Sequence, residues 1–234
     1  MLILALDSTA TVASVALCRD EKTLALFTVK NGNTHSETLL PMVESVLKCT
    51  GTTPAEIDLF ACSVGPGSFT GVRIGTATIK GLAFSREVSC LGVSTLEALA
   101  ENAVPYKGLI CPVMNARRGQ VYNALFTYEN GTLVRKCEDR AISVADLEEE
   151  LLQTGLPFVL VGDGVSEFLR LAQKTAPEAI SELQVDQCAT SVAKVALRRH
   201  FNGERGTCND LNPTYLRMPQ AERERLERLK ENAT

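Results

Sequence analysis

Leu2-Ile3-Leu4-Ala5-Leu6, Ala13-Ser14-Val15-Ala16-Leu17 and Leu24-Ala25-Leu26-Phe27-Thr28-Val29 are three short apolar runs separated by polar turns. Runs of this length and composition read as consecutive β-strands. A helix is expected next. Thr34-His35-Ser36-Glu37 has the spacing of a capping box, and Gly51 is placed to stop the helix. Pro41 inside it removes one backbone donor and should bend it. Thr53-Pro54-Ala55-Glu56 repeats the box with Pro at the favoured first position. Ile57 to Val64 reads as a buried strand that runs into a glycine-rich turn, followed by a helix over about Thr70 to Ser85. Val88 to Val93 is a further strand, and Ser94-Thr95-Leu96-Glu97 caps another helix.

The second half repeats the plan. Leu109 to Asn115, Val121 to Thr127 and Leu133 to Cys137 are three strand runs. Ser143 caps an acidic helix through Leu152, and Phe158 to Val161 is a strand ending in Gly162-Asp163-Gly164. Helical stretches follow near 165–174 and 190–201. Each half therefore reads β-β-β-α-β-α, which predicts mixed α/β sheets in two lobes. A doubled unit with three leading strands is the plan of the actin-like ATPase and sugar-kinase superfamily, the ASKHA or RNase H-like fold. That is an analogy of fold, and fold alone does not give function. The expected division is an N-terminal lobe over 1–104, a C-terminal lobe over 105–218 and a charged tail over 219–234. Asn, Pro, Tyr, Lys and Gly between 102 and 108 suit a connection. In the tail, Glu224 and Arg228 stand four apart, as in a solvated terminal helix.

Charge argues against a protein that holds nucleic acid by bulk electrostatics. The net charge is −4. Residues 1–107 carry 8 Lys and Arg against 10 Asp and Glu, and residues 108–234 carry 16 against 18. Neither half has the basic footprint that strong RNA binding by the isolated chain requires. Arg117-Arg118 and Arg198-Arg199 are short basic spots that read as solvated surface. The 8 cysteines contain no C-x-x-C pair and read as free thiols of a reducing cytosol. With 2 histidines, His35 and His200, a zinc site is not expected. No apolar run reaches the ~20 residues of a membrane span. Met1 to Leu6 lacks a basic n-region and reads as a strand rather than a signal peptide. The expected address is the cytoplasm.

The strongest local signal is Val64-Gly65-Pro66-Gly67-Ser68-Phe69-Thr70-Gly71-Val72-Arg73-Ile74-Gly75. A strand that enters a glycine turn and then a helix offers backbone N–H groups to an anion. It is neither a P-loop nor G-x-G-x-x-G, because the Lys and the spacing are missing. Asp7-Ser8-Thr9 ends the first strand, where actin-like ATPases hold a carboxylate near metal and phosphate. A turn-forming Asp with local hydrogen bonds is the simpler reading. His35 has no evident partner for base or metal work, and no G-x-S-x-G elbow is present.

Six ordered runs carry a specific resemblance. They are Ile3 to Thr9, His35 to Val43, Val64 to Gly75, Leu91 to Leu96, Asn115 to Tyr122 and Pro213 to Arg217. Together they span almost the whole chain and closely resemble the TsaB (YeaZ) family. The resemblance implies a non-catalytic paralogue of TsaD. It would act in the bacterial complex that installs threonylcarbamoyl on N6 of adenosine 37, in tRNAs reading codons that start with A. The implied partners are catalytic TsaD, the ATPase TsaE and, for the chain alone, a second copy. No cofactor and no membrane are implied. TsaD-like proteins place two metal-binding histidines four apart after a comparable strand end, and Thr95 and Leu99 stand at those places here. Leu cannot ligate a metal, so metal-assisted chemistry there is lost. Asp7, Ser8, Gly65, Pro66, Gly67 and Ser68 would then be degenerate phosphate-site loops. An active ATP-dependent transferase of the kinase-like fold and a glycoprotease-like peptidase stay open as alternatives. The first needs a second carboxylate and an adenosine-gripping glycine loop, for which Gly162-Asp163-Gly164 is the one faint candidate.

A partner surface is expected on two helices. Over Ser36 to Thr50, Leu40, Val43 and Leu47 make one stripe, and Leu39, Met42 and Val46 widen it. A surface helix buries a single stripe of about 100°, so part of this width needs other cover. On the helix after the glycine turn, Val72, Thr76, Ile79 and Ala83 make one side, and Ile74, Ala77, Thr78 and Gly81 another. The family makes its TsaD or self contact with these two helices. Candidate interface residues are Leu39, Met42, Val43, Val46, Val72, Arg73, Thr76, Ala77 and Lys80.

Overall fold

The computed structural model describes residues 1–32, 34–84, 86–175, the backbone of 178–179, and 185–217. The expected tail over 219–234 lies outside the described residues.

Strands β1 (Leu2–Asp7), β2 (Ala13–Arg19), β3 (Lys22–Val29), β4 (Leu59–Gly65) and β5 (Ser89–Ser94) form one sheet in the order β3-β2-β1-β4-β5. β1 pairs antiparallel with β2 and parallel with β4. The first strand is apolar at every position to Leu6 because both of its faces are covered. Leu2, Leu4 and Leu6 face α1 (His35–Thr50) and α2 (Phe69–Ala83). Ile3 and Ala5 face α6 (Ala189–Phe201), which supplies Val192, Val195 and Ala196.

Strands β6 (Leu109–Asn115), β7 (Gln120–Glu129), β8 (Thr132–Ser143), β9 (Phe158–Val161) and β10 (Glu178–Ala179) form a second sheet in the order β10-β9-β6-β7-β8. Numbered within each half, both sheets run 3-2-1-4-5, which is the duplicated actin-like arrangement. Helices α4 (Val144–Thr154) and α5 (Val165–Leu171) cover one face through Leu147, Leu151 and Phe168. The other face is covered by α3 (Thr95–Glu101), whose Leu96, Leu99 and Ala100 pack on Ile110, Phe126 and Val161. Ala98 of the same helix packs in the first sheet's core. Helix α3 is thus wedged between the two sheets.

Several sequence expectations change in detail. The second half has a fifth strand, the two residues of β10, too short for a periodic signal. Strand β8 runs on to Ser143 rather than stopping at Cys137. Helix α5 ends at Leu171, short of 174, because the backbone N–H groups of Gln173 and Lys174 turn to the buried carboxylate of Glu148. At α1, Thr34 occupies the N-cap position but its side chain makes no cap bond. The second box closes as drawn, with Thr53 N donating to Glu56 Oε2 at 2.7 Å, around a single 3-10 turn, Pro54–Glu56. Gly51 ends α1 in the left-handed conformation, at φ 63°. Ser94 and Ser143 cap α3 and α4 as their positions predict.

Packing also crosses the division expected at residue 104. Helix α6 follows the second sheet in sequence but buries itself on the first. Beyond it, the segment 206–217 returns along the first lobe as a strap. Cys90 N donates to Gly206 O, Leu211 is buried in the core beneath α1 and α2, and Thr214 N donates to Val64 O at 2.7 Å. Leu211→Ala is therefore expected to lower the unfolding free energy by about 2–4 kcal/mol, the usual cost of a buried Leu truncation. Denaturant melts that leave the variant within ~0.5 kcal/mol of wild type would place the strap outside the cooperative unit.

Candidate functional site

The C-terminal ends of β1 and β4 bring Asp7 and Ser63 together in the interior. Asp7 is fully buried. Its carboxylate accepts from Thr9 N at 2.8 Å, from Thr9 Oγ1 at 2.7 Å and from the Ser63 hydroxyl. Burial pushes its pKa up, and these hydrogen bonds oppose the rise. The group therefore acts as a knot that fixes the turn after β1. Ser8 is committed as well, its hydroxyl donating to the Gly71 carbonyl at 2.9 Å. His35 holds the same loop from outside, with Nε2 at 2.6 Å from the Ala10 carbonyl oxygen.

The glycine turn packs tightly on that loop. Ser68 N donates to Thr9 O at 2.7 Å, and Ser68 Oγ caps α2 by accepting from Gly71 N at 3.2 Å. A Cβ on Gly71 would run into the Ser8 carbonyl oxygen, so only glycine lets α2 approach the turn this closely. Gly65 combines φ 113° with a backbone contact to Thr214 that also leaves no room for a side chain. The glycines here serve backbone contact within the chain.

Between the lobes lies a cleft of about 590 Å³. Its walls are the turn after β1 at Thr9 to Thr11, the glycine turn, the end of β6 with Asn115 to Arg117, Asp163 after β9, and the strap at Thr214 to Arg217. Phe69 and Tyr215 stack at its mouth with ring centres 4.3 Å apart. Asp163 is pushed up to about 6 by burial; Gln187 and the backbone of Asn115 oppose the rise, and the charge of Asp186 adds a little to it. Its Oδ1 has no hydrogen-bond partner among the described residues.

The comparisons with known proteins bear on this geometry. The tRNA threonylcarbamoyladenosine biosynthesis protein TsaB of Bacillus subtilis (strain 168) is 37% identical over 166 residues, 71% of this chain and 72% of that protein. TsaB of Escherichia coli (strain K12) is 30% identical over 220 residues, 93% of this chain and 95% of the relative. The chain belongs to the TsaB family. The wider family described as TsaD, tRNA N6-adenosine threonylcarbamoyltransferase, matches residues 30–224. YeaZ from Pseudomonas aeruginosa has the same fold, with a TM-score of 0.77 at 25% identity over 92% of this chain and 99% of that one.

In this TsaB-family chain the positions singled out from sequence fall into three groups. Thr95 and Leu99 are interior residues of the wedge helix α3, and the Thr95 hydroxyl has no partner among the described residues. Asp7, Ser8, Gly65, Pro66, Gly67 and Ser68 do gather at one place, but Asp7 faces the chain's own groups and not the cleft. The interface candidates need correcting. Leu39, Met42, Val43, Val46, Val72 and Thr76 are buried in the core of this chain. The wide apolar arc of α1 is covered by the neighbouring strands β2 and β3 and by α2, so no partner is needed to hide it. Leu47 is buried with them, and of the two stripes Leu40 alone is exposed. On α2, Arg73 and Ala77 are exposed and Lys80 is half-buried. The Phe69–Tyr215 stack and Arg217 were not picked out as a site. Pro213 to Arg217 was legible as a motif, but nothing local says that it returns across α2.

Asp163 gives a pH-dependent test. Its folded pKa stands above the ordinary carboxylate value of 3.8. The native state therefore holds the proton longer than the unfolded chain, and stability falls as pH rises from about 4 through about 6. Asp163→Asn removes that penalty. It is expected to unfold at higher denaturant than wild type at pH 8, by up to about 3 kcal/mol, with the gap closing below about pH 4. A gap that is independent of pH would show that the carboxyl is not the titrating group.

Proposed function

We propose that this chain is the non-catalytic scaffold and dimerisation subunit of the bacterial complex that transfers a threonylcarbamoyl group to N6 of adenosine 37 in tRNAs reading codons that start with A. It pairs with catalytic TsaD and with the ATPase TsaE, or with a second copy when alone. It works in the cytoplasm, needs no cofactor of its own and does not grip tRNA strongly by itself. One observation carries the reading. The places where chemistry would sit are filled by the chain's own packing: Asp7 is taken up by Thr9 and Ser63, and Leu99 is buried in the core of the second sheet.

The alternatives need groups in a different state. A transferase of the kinase-like fold needs a carboxylate open to metal and phosphate, and Asp7 is closed. A glycoprotease-like peptidase needs a metal or an activated nucleophile, which for a cysteine means a thiolate. Burial instead pushes the thiols of Cys18, Cys62 and Cys111 up, and that of Cys90 up to about 11.

For the partner surface we take the outward side of α1 and α2. Arg73, Ala77 and Gly81 on α2, with Leu40 and Pro41 on α1, face outward. These two helices pack side by side, so the outward residues form one face. Ala77→Glu should leave the melting of the isolated chain within about 0.5 kcal/mol of wild type. It should weaken pairing with TsaD by about tenfold or more, because an unpaired charge is then desolvated in an apolar contact. Met42→Glu, by contrast, should unfold the chain. Light scattering and titration with purified TsaD check both. Full-strength pairing by a folded Ala77→Glu variant would move the interface off α2.

A further inference from the structure

A second recess lies away from the cleft, at the start of β5. Ser89 there pairs with Leu59 at the start of β4, whereas the cleft lies beyond the far end of β4. The recess has a volume of about 600 Å³ and opens between the turn that links α2 to β5 and the residues Arg205 to Asn209. Phe84 ends α2 on its rim and is 76% exposed, more than any other large apolar side chain among the described residues. Val88 and Cys208 line the same recess and rest on the core of the first lobe. A bare aromatic ring beside an apolar recess is the arrangement found at the centre of protein contacts.

Arg205 forms the polar side. Its Nη1 donates to the carbonyls of His200 and Glu204 at 2.5 and 2.7 Å, which aims the side chain and leaves its charge unneutralised. Nε and Nη2, the edge that grips a carboxylate with two bonds, have no partner among the described residues. Elsewhere that edge is closed: Arg170 sets it on Glu167, and Arg199 sets it on Glu204. Arg86 lines the recess as well. Its bonds go to the carbonyls of Pro54, Ala55 and Ile57, so it adds positive charge without an open edge. Glu87 is the one carboxylate among the described lining residues and offsets one of the two cations.

We propose that this recess docks an acidic segment of a partner protein, with one carboxylate on the Nε and Nη2 edge of Arg205 and an apolar side chain against Phe84. The lining carries two arginines against Glu87, a balance that matches a single carboxylate and repels a second. A run of phosphates, as in RNA, needs a larger cationic surface than this. A small free carboxylate would reach Arg205 and leave Phe84 bare, whereas a peptide segment covers both. Arg and aromatic side chains are the usual anchors of such contacts. The inference goes beyond the pairing with TsaD through α1 and α2 and does not rest on it, since it concerns the isolated chain.

Panning a phage library of random dodecapeptides on the immobilised full-length chain tests it, with counter-selection on a Phe84→Ser, Arg205→Gln double variant. The enriched peptides should share Asp or Glu within a few positions of Phe, Leu or Trp. The commonest is then synthesised with a fluorophore, and its binding is read by anisotropy. Arg205→Gln and Phe84→Ser should each weaken it about tenfold. Exchanging the peptide's acidic residue for its amide should weaken binding to wild type about tenfold and change nothing further in Arg205→Gln, the signature of a direct pair. Phe84 and Arg205 are both exposed, so both variants should melt as wild type does. If Arg205→Gln does not fold, Phe84→Ser decides the matter. The proposal is overturned if no acidic and apolar consensus is enriched, or if the folded variants bind the peptide as wild type does. It is also overturned if phenylpropionate, a single-stranded RNA hexamer, or vesicles of phosphatidylcholine and phosphatidylglycerol bind more tightly than the peptide and lose binding in the same variants.

Discussion

Helix α3 is seven residues long and touches both sheets at once. Ala98 belongs to the core of the first, while Leu96, Leu99 and Ala100 belong to the core of the second. The lobes are built separately, each from three antiparallel strands and two parallel ones, and this wedge is what joins their cores. Polar contacts then lock the joint. Arg198 of α6 reaches Glu101 at 3.1 Å, and Arg135 of β8 reaches Asp139 at 2.5 Å beside Glu97. Ser94, the cap of α3, donates to the same Asp139. Helix α3 joins the two cores, and the cleft opens between the turns at the ends of β1, β4 and β6. On the other side the strap supplies the closure, through Tyr215 on α2 and Arg217 on Ala116.

The same wedge explains why this helix does no chemistry in the proposed scaffold role. A metal site at Thr95 and Leu99 would need polar ligands and an open path. Position 99 instead buries a full leucine in the core of the second sheet, which favours folding by about 2 kcal/mol. The carboxylate at the end of β1 is diverted in a similar way. Asp7 is desolvated, and three donors from its own chain compensate for the loss of water. A group that already satisfies its neighbours has little left to offer a ligand. The cleft is lined by the chain's own loop backbone, by Asp163 and by Tyr215, Arg117 and Arg217.

Much of this was legible in the sequence. The three leading runs, repeated after Leu109, show the order of elements along the chain and its doubling, because short apolar runs with turn residues between them leave few other readings; the order of strands within each sheet comes from the structure. The caps at Ser94 and Ser143 and the stop at Gly51 were readable because each depends on one local bond or one backbone angle. The fate of α1 was not. An apolar arc wider than one stripe looks the same whether a partner or the chain's own strands cover it, and here β2, β3 and α2 cover Met42 and Val46. The placement of α6 was equally hidden, since its periodicity shows a buried face but not which sheet buries it. Tyr215 and Arg217 drew no attention as a site because their meaning depends on residues more than a hundred positions away.

The central claim is that the chain supports the modification through its surface and supplies no reacting group. Asp7→Asn tests it most directly. The side-chain oxygen can still accept from Thr9 N–H, and the new amide can turn its N–H to Ser63, so the turn after β1 is retained. With a folded variant, single-turnover threonylcarbamoylation of tRNA should be measured in a reaction reconstituted with TsaD and TsaE. If the chain is a scaffold, the rate stays within about threefold of wild type. A loss of about a hundredfold or more, the scale expected when a general base or metal-holding carboxylate is removed, would contradict it.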